Sequence, residues 1–374
     1  MDTVFSILTL LGSLGLFLYG MTLMSEALQK VAGDKLRNIL AAMTSNSLSR
    51  ILTGLFITAV IQSSSATTVM VVSFVNAGLL SLVQSIGVIM GANIGTTFTA
   101  WLISLLGFKA DIAILAIPLI GFGFAFMMCK AKKKKSIGEL IIGFALLFLG
   151  LSFLKDSVPD LQSSPEVLEF LQQWTGYGFG SIFMFVAIGT ILTIVLQSSS
   201  ATMALTLVMC NNGWIPFEMG AAMVLGENIG TTITANIAAS VANVSARRAA
   251  MAHSVFNVFG VLWVLIVFKP FLRLVGMIME TLGFSNPLTV DLTSPDAETS
   301  LLYGISMLHT LFNITNTLIL IWFTSYIEKL VVWMVKAPKG EEVFRLKYIS
   351  GGPLSTAELS LNEAQQEMVH FAEI

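Results

Sequence analysis

Stretches of about 20 residues with almost no charge recur along this chain, and they constrain its fold more than any other feature. Residues 4–24, 112–128, 137–154, 251–268 and 301–324 are of this kind. A helix without a polar face has nothing to offer water, so such windows predict membrane-spanning helices rather than the core of a soluble bundle. Only 11% of the residues are charged, against about 25% in soluble domains. The expected fold class is all-α: a polytopic membrane protein. Residues 4–24 carry no basic run or cleavage site at their start, so they predict a retained helix and not a signal peptide.

Inside this apolar background, one polar hexapeptide occurs twice. "QSSSAT" stands at residues 62–67 and again at 197–202. Shifted by 135 residues, 54–100 lies on 189–235 without a gap, and 19 of the 47 positions are identical. "GANIGTTFTA" at 91–100 meets "GENIGTTITA" at 226–235, and "LFLYG" at 16–20 has a weaker echo in "LFLG" at 147–150. Internal repeats of this kind are characteristic of secondary transporters.

Charge placement orients the two copies. Lys30, Lys35, Arg37 and Arg50 precede the first motif, and "KAKKKK" fills 130–135; both read as cytoplasmic. One outward crossing near 82–106 and one return over 112–128 join them. Residues 54–80 must then come back to the side they entered from, as a re-entrant hairpin with Gln62–Ser65 at its tip. The second hairpin follows an acidic stretch (Asp156, Asp160, Glu166, Glu169) and enters from outside. Residues 217–240 cross inward and end at Arg247 and Arg248, and 291–298 fall outside. Two inverted repeats are the expectation. Residues 1–130 form the first. Residues 131–334 form the second, with a C-terminal transmembrane helix, and 335–374 form a cytoplasmic tail.

Broken helices survive in hydrocarbon only inside protein or beside a watery cavity. At such a tip the second half-helix begins with free N–H groups and a positive dipole end, which suits an anion. Gln62, Ser63, Ser64 and Ser65, with Gln197, Ser198, Ser199 and Ser200, are therefore the candidate anion ligands. The alternative is that these serines only permit tight helix packing. Asn93, Thr96, Thr97, Asn228, Thr231 and Thr232 offer neutral oxygens, and Gly95 and Gly230 permit unwound backbone. Together they suit Na⁺ or else pack helices. Glu227, opposite Ala92 in the repeat, is a cation or proton ligand if buried and a hydrated bystander if it sits at a cavity mouth.

"HSVFN" at 253–257 and "HTLFN" at 309–313 pair a His with an Asn four residues on; helix–helix contacts explain them better than zinc, for which a third ligand is lacking. The two cysteines, Cys129 and Cys210, suggest neither a disulfide framework nor a metal site. No nucleotide loop, dinucleotide fingerprint or nucleophile triad is present, so neither an enzyme nor an ATPase is expected. The basic run at 130–135 fits a loop at a membrane surface better than a nucleic-acid patch.

Paired QSSSAT motifs followed by GANIGTT and GENIGTT resemble the sodium/phosphate cotransporter family, its type II class and bacterial relatives, over roughly residues 4–333. The resemblance implies a secondary active carrier of inorganic phosphate, driven by sodium through alternating access in the cytoplasmic membrane. Phosphate is expected at the two QSSS tips, and Na⁺ at neighbouring polar positions, among them Thr67 and Thr202. No cofactor beyond the coupling ions, no transition metal and no nucleic acid is implied, and a homodimer stays open as the assembly. An exporter, a carrier of another oxyanion such as sulfate, and a non-transporting phosphate sensor stay open as alternatives. Residues 346–374 resemble the first helix of a PhoU-like domain that stops short; a simple juxtamembrane helix is the other reading.

Overall fold

The computed structural model describes residues 2–42, 46–107, 112–157, 174–337 and the single position 368. The acidic residues Asp160, Glu166 and Glu169, and the tail compared with a PhoU-like domain, lie outside these. Every regular element among the described residues is helical. In chain order they are α1 (Asp2–Ala42), α2 (Ser47–Ile61), α3 (Ser64–Asn76), α4 (Leu82–Leu102), α5 (Ile112–Met127), α6 (Lys132–Ser157) and α7 (Phe179–Leu196). There follow α8 (Ser199–Asn211), α9 (Phe217–Gly230), α10 (Thr232–Ala239), α11 (Val244–Ile266), α12 (Phe268–Thr281), α13 (Ala297–Leu320) and α14 (Thr324–Met334).

Among the described residues, six helical stretches are long and apolar enough to cross a membrane: Leu8–Ala32, Leu82–Gly107, Lys132–Ser157, Phe179–Leu196, Val244–Ile266 and Ala297–Met334. α5 falls on the expected window at 112–128, but its apolar part, Ile114–Met127, is shorter than a full span. The expected single crossing over 217–240 is instead two helices parted at Thr231. Thr232 and Thr234 donate their hydroxyls back to the carbonyls of Ile229 and Thr231, and such back-bonding bends helices.

Glycines show how the helices meet. A Cβ on Gly54 of α2 would collide with the carbonyl oxygen of Val88 on α4, and one on Gly91 of α4 with that of Ile51 on α2. Their repeat mates do the same: Gly189 meets the Met223 carbonyl, and Gly226 the Val186 carbonyl. Only a missing side chain lets two helix backbones approach this closely. Along the whole seam the numbers rise together, from Gly87 at Arg50 to Gly95 at Thr58 and from Gly189 at Met223 to Gly230 at Thr193, so α2 runs parallel to α4, and α7 parallel to α9. The chain must therefore double back between them, through α3 and α8.

α1 and α6 pack differently. Gly20 lies against Leu147, and Gly150 against Phe17, so the sequence echo noted above is a contact. The two helices run antiparallel, pinned at one end by Lys30 Nζ to Glu139 Oε2 at 2.7 Å and at the other by Ser13 Oγ to Ser157 Oγ at 3.1 Å. Phe17, Leu147, Leu225 and Phe312 are fully buried in the main apolar core, which spans both repeats.

Gly226→Val should destabilise the fold by about 1–3 kcal/mol, the usual range for overpacking. Gly15→Val, where nothing lies within 4 Å of an added Cβ, should change stability by less than about 0.5 kcal/mol. Thermal unfolding of the purified protein in detergent checks both; equal melting of the two variants would contradict this packing.

Candidate functional site

Both QSSSAT segments break their helix in the same way. Gln62 ends α2 with φ 59° and ψ 25°, and Gln197 ends α7 with φ 50° and ψ 28°. They are the only non-glycine residues with positive φ among those described. The left-handed region is unfavourable for a residue with a Cβ by about 1–2 kcal/mol, so it persists only where the surroundings hold it. At Gln62 the holding groups are visible. Its backbone N–H donates to Thr58 O at 2.7 Å, its Nε2 donates to Ala59 O at 2.6 Å, and its Oε1 accepts from Thr99 Oγ1 at 3.1 Å. The side-chain amide thus caps the end of α2.

The next residue starts the new helix. Ser63 is extended (φ −145°, ψ 104°), and its Oγ accepts from the Ala66 N–H at 3.2 Å. Ser198 repeats this (φ −148°, ψ 107°), accepting from the Ala201 N–H at 3.2 Å. The first amides held within the new helices are Thr67 to Ser63 O and Thr202 to Ser198 O. Helix geometry therefore leaves the amides of Ser64 and Ser65, and of Ser199 and Ser200, without intrahelical acceptors.

All eight tip residues line one cavity of about 510 Å³. The rest of its wall is Leu196 and one side of α1: Leu18, Met21, Thr22, Ser25, Glu26 and Gln29. No Lys, Arg or His is among these residues. The cavity offers two helix N-termini, serine hydroxyls and amides, and one carboxylate. Neutral donors of this kind, beside the positive ends of α3 and α8, are chemically suited to an anion. The α1 residues were not anticipated from the sequence. Their signal was there: Thr22, Ser25, Glu26 and Gln29 follow helical spacing inside an apolar stretch, which puts them on one face.

The second set of candidates is not in this cavity. Asn93 Nδ2 donates to Ile89 O, Thr96 Oγ1 to Ala92 O, Thr97 Oγ1 to Ile94 O, Asn228 Nδ2 to Val224 O and Thr232 Oγ1 to Ile229 O. The first four bonds stay within one helix, and the last joins the start of α10 to the end of α9. Nor is Gly95 unwound: α4 runs straight through it, and a Cβ there would meet Thr58 and the Leu55 carbonyl. Thr67 and Thr202 sit directly below the tips and donate to the Ser63 and Ser198 carbonyls at 3.0 and 3.2 Å.

Glu227 is buried, and its Oε1 accepts from Thr206 Oγ1 at 2.8 Å. Its Oε2 has no partner, and neither has Thr231 Oγ1, one helical turn further on at the break between α9 and α10. His253 and His309 are buried too, each accepting at its carbonyl from the Asn four residues on.

Known proteins can now be set beside this geometry. The family model of the Na⁺/Pi-cotransporter matches residues 16–156 and 164–286. YqeW of Bacillus subtilis (strain 168), named an uncharacterized protein, is 33% identical over 303 residues, covering 80% of this chain and 92% of its own. The protein of Escherichia coli (strain K12) named "Putative inorganic phosphate export protein YjbB" is 26% identical over 98% of this chain, which spans 63% of that relative's length. Sodium-dependent phosphate transport protein 2A of Rattus norvegicus is 39% identical over 101 residues, 26% of this chain and 16% of its own. No solved structure matches. With two thirds of its length matched by the family model and six helices apolar enough to span a bilayer, this multi-pass membrane protein belongs to the Na⁺/Pi-cotransporter family of phosphate transporters.

Proposed function

We infer that this chain is a secondary active transporter that carries inorganic phosphate across the cytoplasmic membrane, coupled to Na⁺, by alternating access. The observation that carries this reading is the meeting of both QSSS tips in one cavity. Neutral donors and two helix N-termini bind an oxyanion without a fixed cation, so a mobile cation has to supply the missing charge. The two repeats are oppositely oriented in this reading. The antiparallel packing of α1 on α6, with Gly20 on Leu147 mirrored by Gly150 on Phe17, supports it, because such exchange of partners accompanies a two-fold axis lying across the helices.

The sodium assignment centres on Glu227. A carboxylate oxygen and a threonine hydroxyl, both buried and both without a partner, are hard oxygen ligands one turn apart. In the other repeat Ala92 replaces Glu227, and Thr96 bonds to the Ala92 carbonyl. The two half-sites are thus inequivalent for cations. Net export is the second reading, favoured by the likeness to YjbB along nearly the whole chain. The direction is decided by the gradients and not by the site. Radiolabelled phosphate flux in proteoliposomes, with Na⁺ gradients imposed inward and outward, tests both readings.

Ser64→Ala or Ser199→Ala should weaken apparent phosphate affinity about 10–100-fold, the worth of one hydrogen bond to a charged group, ~1.5–3 kcal/mol. Unchanged affinity in both variants would place the anion elsewhere. Glu227→Gln should raise the Na⁺ needed for half-maximal flux about tenfold (~1.4 kcal/mol) and change phosphate dependence at saturating Na⁺ less. Coinciding Na⁺ curves for variant and parent would remove Glu227 from the ion site. In a background free of Cys129 and Cys210, Ser47→Cys and Tyr177→Cys, at the entries to the two broken-helix pairs, should label from opposite sides of the membrane. Labelling of both from one side would rule out inversion.

A further inference from the structure

Among the described residues, Glu26 is the one ionisable side chain in the cavity wall. It is exposed, so it meets the water that fills the cavity. Lys30 lies one turn further along α1, but its Nζ is drawn to Glu139 Oε2 of α6 at 2.7 Å. Lys30 also acts on Glu26 through space, yet it is not part of the cavity wall, where the one described charge is negative.

Proton counting gives this carboxylate a use. The tips supply donors: amides of two helix N-termini and serine hydroxyls. A carboxylate supplies only acceptors. Sulfate at neutral pH is also acceptor-only, so against Glu26 it would set lone pairs and like charges face to face. Phosphate near pH 7 keeps at least one P–OH in either of its charge forms. That hydroxyl can donate to Glu26 while the bare oxygens accept from the tips. A site that requires a hydroxyl on its ligand rejects the analogue lacking it far more strongly than shape alone allows.

We propose that Glu26 is the specificity-determining residue of the cavity, selecting protonated tetrahedral oxyanions, phosphate and arsenate, against sulfate by accepting their hydroxyl hydrogen. The proposal rests on the phosphate-carrier reading above and decides between two of the substrates that the sequence left open.

The test is competition for radiolabelled phosphate bound to the purified full chain in detergent, at pH 7 and fixed Na⁺. Arsenate should displace phosphate from the parent, and sulfate should not. Glu26→Gln keeps the size, removes the charge and adds a donor. In it sulfate should become a competitor, its inhibition constant falling about 10–100-fold. Glu26→Asp, which keeps an acceptor-only group, should still exclude sulfate. If Glu26→Gln does not fold, Glu26→Ala carries the same expectation for sulfate. A folded Glu26→Gln that binds phosphate and rejects sulfate as the parent does would overturn the proposal, as would one that binds neither anion. A parent that binds no phosphate at all would instead overturn the carrier reading on which it stands.

Discussion

A helix that stops inside hydrocarbon leaves amides and carbonyls with no water to satisfy them, and the architecture here is arranged around that cost. Each QSSSAT segment stops one helix and starts another within two residues. The stop is closed by the glutamine itself: at Gln62 the backbone N–H and the side-chain amide both return to the last turn of α2. The start is closed in part by the following serine, which caps one amide and leaves the two before it open. The polar cavity gives these open amides something other than hydrocarbon to face, and the oxyanion proposed above would satisfy them.

Two such breaks reach one cavity only if their supporting helices are placed with matching precision. The glycine–carbonyl contacts do this in both repeats, Gly54 and Gly91 locking α2 to α4 as Gly189 and Gly226 lock α7 to α9. The glycines of the NIGTT segments belong to this system. Gly95 and Gly230 stand against the Thr58 and Thr193 side chains, which ties the second motif of each repeat to the helix that carries the first. The tips are then coupled across the repeats as well, since Thr234 of α10 donates to Ser65 Oγ at 3.2 Å.

Much of this was legible in the sequence because it was written twice. The charge-free windows located four of the six long apolar stretches among the described residues, and the 135-residue shift located both tips. Polar residues in an apolar segment showed where a helix had to be interrupted. Other features were not legible. Helix propensity does not distinguish a glycine that unwinds a helix from one that lets a neighbour approach, so Gly95 read as a hinge and is a packing contact. The interruption at Thr231 adjoins Gly230, where unwound backbone was expected, but its repeat mate Thr96 lies in an unbroken helix, so the doubled pattern misled for the first copy. The α1 wall of the cavity lies outside the aligned repeat, so the doubled pattern gave no cue to Thr22, Ser25, Glu26 and Gln29.

The departures from symmetry carry as much information as the symmetry. A site built of two identical tips holds an anion equally well from either side, which suits alternating access but provides no coupling. Coupling needs a cation to prefer one state of the carrier. The differences between repeats fall where that preference can be set. Glu227 faces Thr206 in the second repeat, where the first has Ala92 and Val71. Thr190 bonds the Gly226 carbonyl, where the first repeat has Leu55. Gln62 is braced by Thr99 within its own repeat, whereas Thr234, the mate of Thr99, reaches across to Ser65. The two tips are thus alike in their backbone, while the groups behind them are not. In the carrier proposed above, a cation bound among them would change the energy of one half only, which is what an ion gradient needs in order to bias the exchange between two open states.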